Sequence, residues 1–414
     1  MLTINGKRIF TPMQATALLF VIAFCDKMLL QVFGGFLSGR GAWCIYAFEL
    51  LLLVIAAPNL IRAVHKWDVV VFFGWASLLL INVMFLRREQ QEYTSCMIEV
   101  FVKCFPLYFL GRAAADDEDA NILKCMQWIV ALIGLGYALS LLRNGLSYGE
   151  KSYSQYMGYT LLPAASIALC LSLKGKLLQI PFAALLLYGV VASGARGPLL
   201  CLLLVGAVYI VGRMNNFSTK RVILLIVVGM IVAVVLVNFE TILESMIRFF
   251  ERNGFSIRVL NSLAQGTFAE DSARNELYEL SLQGAWDYPF GIGIFHDRQY
   301  LQLGWTGIRN GSSWGYYSHN LFLEFLLQYG IVFGTLLSIG FVVLTWKAFR
   351  NSRRSETWLL CLTALLGVGL FPLMVSSSYV EWEPFYLLVG YMVTITQKGR
   401  SAKRLEGTNG TPSC

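Results

Sequence analysis

From one end of the chain to the other, apolar runs of roughly 17–25 residues recur, the length at which an α-helix crosses a bilayer. These runs cannot all pack into a water-soluble core. Hydrophobic residues make up 57% of the 414 and charged residues only 14%, with a mean hydropathy of +0.61. Hydrocarbon offers no water to satisfy backbone N–H and C=O groups, so repeated runs of this length specify helices that satisfy their own. The expected class is an all-α integral membrane protein with about twelve transmembrane helices. The spans are predicted near 13–36, 42–60, 69–86, 94–111, 121–142, 156–173, 177–193, 197–213, 221–240, 319–346, 357–375 and 380–397. No small-residue cleavage site follows the first run, which therefore reads as a retained span.

Basic residues set the orientation. Lys174 and Lys176, then Arg213, Lys220 and Arg221, then Lys347, Arg350, Arg353 and Arg354, and finally Lys398, Arg400, Lys403 and Arg404 fall on one side. That side is cytoplasmic if both termini are. Arg87 and Arg88 land on the other side, and the connection at 112–120 is acidic (Asp116, Asp117, Glu118, Asp119), but acidic residues carry little topological weight. Four segments follow: an N-terminal bundle of about nine spans over 1–240, a large extracytoplasmic loop over 241–318, C-terminal helices over 319–397 and a basic cytoplasmic tail over 398–414. The formal net charge of +8 reads as anchoring to membrane lipids and calls for no nucleic acid.

The loop at 241–318 is the one long hydrophilic stretch, and loops of that length are functional or disordered. Its tryptophans (Trp286, Trp305, Trp314) and many Tyr and Phe residues speak against disorder. It has six arginines and no lysine. Arginine's planar fork grips phosphate or carboxylate with two parallel bonds, where lysine is a point charge. No cysteine lies in the loop and no close CxxC pair exists, so neither a disulfide framework nor a thiolate metal site is supported. Two charged pairs inside spans, Asp26–Lys27 and Glu99–Lys103, need partners within the bundle. They either pair structurally or line a substrate path.

Three places share one geometry. In "ASGARGPLL" (192–200), Pro198 suits the first helical position, which sets Arg196 just before a helix N-terminus. That end already attracts anions, so a cation there is unwelcome unless an anion joins it. The alternative is an arginine anchored at headgroup level. In "EDSARNELYELSLQGAW" (270–286), Asp271 or Ser272 can cap a helix whose apolar face is Leu277, Tyr278 and Leu280. Arg274 falls in its first turn, again the wrong end, unless it pairs back with Asp271 or Glu270. In "SWGYYSHNLFLEFLLQYGIVFG" (313–334), Ser318 is a plausible N-cap, placing His319 and Asn320 in the first turn of a span. The positive end of the dipole favours neutral imidazole, which can act as a general base. His296 is a competitor on the same side, and His65 lies on a cytoplasmic connection beside Arg62 and Lys66. The bland alternative for His319 is an interfacial anchor.

An "SG-x-RG" turn (Ser193–Gly197), an "R-x3-Y" helix (Arg274, Tyr278), "P-x-G-x-G" (Pro289–Gly293) and "HN-x3-E" leading into "YG-x3-G" (His319, Asn320, Glu324, Tyr329, Gly330, Gly334) follow in that order. The ordered set resembles the O-antigen ligase and Wzy-type polysaccharide polymerase superfamily of bacterial membrane glycosyltransferases. It covers roughly the C-terminal half; the first 150 residues match only as generic spans. The resemblance implies a GT-C-like, inverting, metal-independent enzyme of the bacterial cytoplasmic (inner) membrane that needs no cofactor. It implies transfer of a glycan from an undecaprenyl-pyrophosphate-linked oligosaccharide donor to an acceptor hydroxyl on the extracytoplasmic face. Carried over by motif, Arg196 and Arg274 hold the pyrophosphate and His319 activates the acceptor, with Asn320, Tyr278, His296 and Glu324 as secondary candidates. A chain-length regulator is a possible partner.

Ligase and polymerase differ in the acceptor, lipid A–core in one and a second lipid-linked repeat unit in the other. Ligases often have a histidine two places before the "HN", where this chain has Tyr317. The wording after it looks polymerase-like, and polymerase is the preferred reading. A flippase or transporter built on Asp26, Lys27, Glu99 and Lys103 is the reading from another class, weakened by the lack of an internal repeat.

Overall fold

The computed structural model describes residues 3–4, 7–8, 11–36, 40–85, 90–116, 121–144, 154–214, 239–252, 257, 260–261, 264–265, 272–307, 313 and 315–408. Apart from a two-residue ladder, Thr3–Ile4 against Lys7–Arg8, these residues form helices and their connections. In order they are α1 (Pro12–Phe36), α2 (Arg40–Ala63), α3 (Lys66–Phe85), α4 (Gln90–Glu99), α5 (Phe105–Ala114), α6 (Asn121–Asn144), α7 (Gln155–Leu173), α8 (Ile180–Ala192) and α9 (Arg196–Arg213). Then come α10 (Phe239–Arg252), α11 (Ser272–Asp287), α12 (His296–Gly304), α13 (Leu321–Ser352), α14 (Glu356–Leu365) and α15 (Glu383–Thr408).

Nine helices among the described residues are long and apolar enough to cross a membrane, and Leu177–Ala192 is a shorter apolar helix. The expectation of a multi-pass all-α membrane protein therefore holds at that coarser level. The predicted span at 221–240 lies almost wholly outside the described residues. The predicted 380–397 span is the apolar part of α15, which starts at Glu383. Large apolar side chains stay exposed along α2, α3 and α13, for instance Trp43, Val71, Phe73 and Leu336. Faces like these suit lipid tails rather than water.

The described chain divides into two compact units. One comprises Met1–Phe24, Ala47–Cys125 and Asp271–Cys414; the other comprises Cys25–Tyr46 and Met126–Glu270. In the first unit α5 and α15 cross with their backbones touching. A Cβ on Gly111 would overlap the Leu387 carbonyl, and one on Gly390 would overlap the Tyr108 carbonyl. Small residues at a crossing are how helices bind in a medium that supplies no hydrophobic drive between them. Between α4 and α5 the chain makes one π-helical turn, Val100–Cys104. There Lys103 pairs with Glu99 and lies 3.6 Å from Glu383, so this charged pair has the structural partners it needs. In the second unit α7 packs on α8 and α9, with Gly158 against Pro198 and Ser193.

Helix α13 is not one span. Gly330 has φ 78° and ψ 171°, a conformation that only glycine takes readily, and it breaks the helix. Residues 331–352 alone give about 33 Å of helix, enough to cross the hydrocarbon. The residues before the break form a short separate helix at the site.

Candidate active site

Motif "P-x-G-x-G" and motif "YG" turn out to be two halves of one lock. The segment after Pro289 lies in the gap that Gly330 opens in α13 and takes over the backbone groups freed there. Ile292 N donates to the Leu327 carbonyl, Gly293 N to the Gln328 carbonyl and Ile331 N to the Pro289 carbonyl, each at 3.0 Å. Gly291 and Gly330 sit face to face, both at positive φ, and a Cβ on Gly291 would lie 2.6 Å from Gly330 N. Irregular backbone at such a place is tolerated only when its polar groups are satisfied this way.

The lock fixes the end of α13 where His319 stands. Asn320, not Ser318, is the N-cap: its side chain accepts from Phe322 N at 3.0 Å and Leu323 N at 3.3 Å. His319 thus precedes the helix rather than lying in its first turn, and it is held at φ 48°. Ser318 is instead buried and meets Ser281 of α11 at 2.8 Å. The imidazole packs on the Tyr317 ring, 4.1 Å between centroids. The Tyr317 hydroxyl donates to the Ser376 carbonyl at 2.6 Å. Arg274, in the first turn of α11 as predicted, reaches the Ser376 hydroxyl with Nη2 at 3.5 Å. His319 and Arg274 are therefore linked through one pair: His319 packs on Tyr317, Tyr317 bonds to Ser376, and Ser376 meets Arg274. Helix α11 is held by the predicted apolar face, since Leu277 is buried with Leu301, Tyr316 and Leu327 and Leu280 packs beside them. Tyr278 is half-buried on the same helix.

Arg298 is the residue that motif reading missed. It is 1% exposed, lies with its guanidinium 5.5 Å from the Tyr317 ring and meets Glu381 Oε1 at 3.4 Å. Burial alone would lower its pKa, but Glu381 and Asp297 hold it above the usual arginine value, so it stays charged. Burial, with Glu381 next, pushes the Tyr317 hydroxyl up to about 12, so it acts as a donor and never as a base near neutrality.

A second polar layer lies beneath. Glu324 and Asp297 are both fully buried, and the Gln328 amide donates to Asp297 Oδ2 at 2.9 Å and to Glu324 Oε1 at 3.4 Å. Ser378 donates to Glu324, and the Tyr379 hydroxyl donates to Gln328 Oε1 at 2.6 Å. Burial raises the Asp297 carboxyl above the usual range, with Arg298 partly opposing it. His296, the competing histidine, opens α12 behind Phe295, which sits at φ 72°, and its Nδ1 is buried with no hydrogen-bond partner among the described residues. The loop Ser376–Glu381 supplies partners to Arg274, Tyr317, Arg298, Glu324 and Gln328. Its three serines between two apolar stretches were the available signal, but the predicted spans at 357–375 and 380–397 reduce it to the short turn 376–379.

Arg196 belongs to the other unit. It is the first residue of α9, with Ala195 as N-cap and Gly194 at φ 69°, so Pro198 is the third helical residue and not the first. Ser193 closes the turn, donating to the Val190 carbonyl at 2.7 Å. The cation still stands at a helix N-terminus. Among the described residues no group of three His, Cys, Asp or Glu could hold a metal ion.

Residues 181–338 match the protein-family model described as O-antigen ligase. That segment of the chain is similar to the O-antigen ligase family. The O-antigen ligase match starts in α8, contains Arg196, Arg274, His296, His319 and Glu324, and ends at Ser338 in α13. The loop Ser376–Glu381, which completes the polar cluster around Arg298, lies outside the O-antigen ligase segment. No curated protein matches the chain.

Proposed function

We propose that the chain is a Wzy-type polymerase, an inverting and metal-independent glycosyltransferase of the bacterial inner membrane that takes its donor from undecaprenyl pyrophosphate. The observation that carries the reading is the linkage of Arg274 and His319 through the bonded pair Ser376 and Tyr317 beside a broken helix. The acceptor is the hydroxyl of a second lipid-linked repeat unit. His319 takes the proton of that hydroxyl as its oxygen bonds to the anomeric carbon, and the bond from that carbon to the pyrophosphate oxygen breaks on the opposite face. Arg274 neutralises the departing pyrophosphate, the role that the resemblance also gives Arg196; charge-assisted, two-pronged contacts suit arginine. Asn320 fixes the chain next to His319, and Arg298 holds the Tyr317 ring against which the imidazole packs. An apolar cavity of about 860 Å³ runs along α13 from Gln328 past Phe333 and Leu337 to Leu344, which suits a polyprenyl tail beside the polar cluster. The site then faces the extracytoplasmic side, with both termini cytoplasmic.

The second reading, transfer of finished glycan to lipid A–core, is favoured by the description of the matched family. Deleting the gene and restoring it as wild type or His319→Ala separates the two and tests the site together. A polymerase deletion leaves core carrying one repeat unit and no ladder; a ligase deletion leaves core with no glycan. A general base contributes roughly 10²–10⁴-fold, so His319→Ala should reproduce the deletion while inserting normally, and His296→Ala should be much milder. Full ladders from His319→Ala would leave that residue a mere anchor.

A further inference from the structure

At the far end of α13 from His319, the first unit has a cavity of about 710 Å³ whose walls carry Arg62, His65, Arg112, Arg354 and Lys398, with Asp116 as the one acid among the described residues. The charges do not cancel. Arg112 is committed: it pairs with buried Asp68, donates from Nη2 to Gln397 Oε1 at 2.8 Å and from Nε to Thr394 at 3.4 Å. Asp68 is itself tied down by the Tyr108 hydroxyl at 2.7 Å and by His65 N at 2.8 Å. Lys398 is paired with Asp116 at 3.1 Å and lies 5.6 Å from the Trp358 ring. Two cations against two carboxylates close that account, and Arg62 and Arg354 remain, with no carboxylate partner among the described residues. Ser355, the N-cap of α14, lines the same cavity, with Glu356 in the first turn of that helix. Two guanidinium groups with no carboxylate partner among the described residues and a recess large enough for a small polar ligand ask for the same thing, an anion with several acceptor oxygens.

We propose that this cavity binds a phosphate-bearing anion gripped by Arg62 and Arg354. Two sources share that chemistry: the headgroup of an anionic phospholipid, abundant where basic residues gather at a membrane surface, and soluble phosphate. The site is separate from the glycan-transfer residues and stands or falls without them.

The test uses the full-length protein purified in detergent with phosphatidylcholine. Phosphatidylglycerol is added in one arm and inorganic phosphate in the other, with melting temperature and lipid retention by native mass spectrometry as readouts. The wild type should gain stability in one arm. Arg62→Gln/Arg354→Gln should weaken that response at least tenfold in concentration, each single variant should give an intermediate loss, and Lys347→Ala/Arg350→Ala should behave as wild type. A response to phosphatidylglycerol alone assigns a lipid, and a response to phosphate assigns a soluble anion. The singles carry the answer if the double variant does not fold. No response in either arm, an undiminished response in the arginine variants, or an equal loss in the Lys347/Arg350 control overturns the proposal.

Discussion

Gly330→Ala is the sharpest test of how this site is built. Gly330 sits at φ 78°, ψ 171°, and a Cβ there would lie 2.5 Å from Gly291 N and from the Phe290 carbonyl carbon, atoms of backbone that no rotamer change can move. Holding alanine in such a region costs about 1–3 kcal/mol. Relieving the clash means withdrawing the segment that Ile292, Gly293 and Ile331 tie down with three backbone hydrogen bonds. Each such bond contributes about 0.5–1.5 kcal/mol net, so the total cost comes to about 2.5–7.5 kcal/mol. That compares with the 5–15 kcal/mol that separates a typical folded protein from its unfolded state. Thermal unfolding in detergent, read by near-ultraviolet circular dichroism, should show a large drop in melting temperature, and glycan ladders should be lost even where protein remains in the membrane. Gly74→Ala is the control, since a Cβ there meets nothing within 4 Å and helix propensity favours the alanine. It should melt as wild type or slightly higher. If Gly330→Ala melts with Gly74→Ala and still makes ladders, the two motifs do not lock each other and the construction given for the site is wrong.

Arg196→Lys and Arg274→Lys should each lose most transfer activity while expressing and inserting as wild type, because a point charge cannot replace a two-pronged fork; near-normal glycan from both would rule out that contact. Asp297→Asn should flatten the dependence of stability on pH. The folded state binds the Asp297 proton more tightly than the unfolded one, where the value is about 4. Its contribution is therefore intact below that value and falls as pH rises towards the raised folded-state one. A melting-temperature series on both proteins should show the gap opening in favour of the Asp297→Asn variant over that window and then levelling. Parallel curves would mean the carboxylate is ionised and accommodated as it stands.

The membrane class and most of the helices were legible from the sequence because they depend on run length and hydropathy alone, which are one-dimensional quantities. Leu277 and Leu280 were legible as a buried face for the same reason: helical periodicity states which side is apolar before any partner is known. Arg196, Arg274 and His319 stood out because each is an odd residue for the helix end beside it. What the sequence could not say is what those residues touch. Ser376 is 102 residues from Arg274 and 59 from Tyr317, and it joins them only because the chain returns. Arg298 was invisible as a site residue, since an arginine in a hydrophilic loop looks solvated until Tyr317, Glu381 and Asp297 are seen to enclose it. The tertiary structure also moved the N-cap from Ser318 to Asn320 and split α13 at Gly330. A serine and an asparagine are near-equal caps in isolation, and glycine inside an apolar run is ordinary in a membrane helix. The choice was made by the "P-x-G-x-G" segment, whose backbone needs the partners that only a broken helix leaves free.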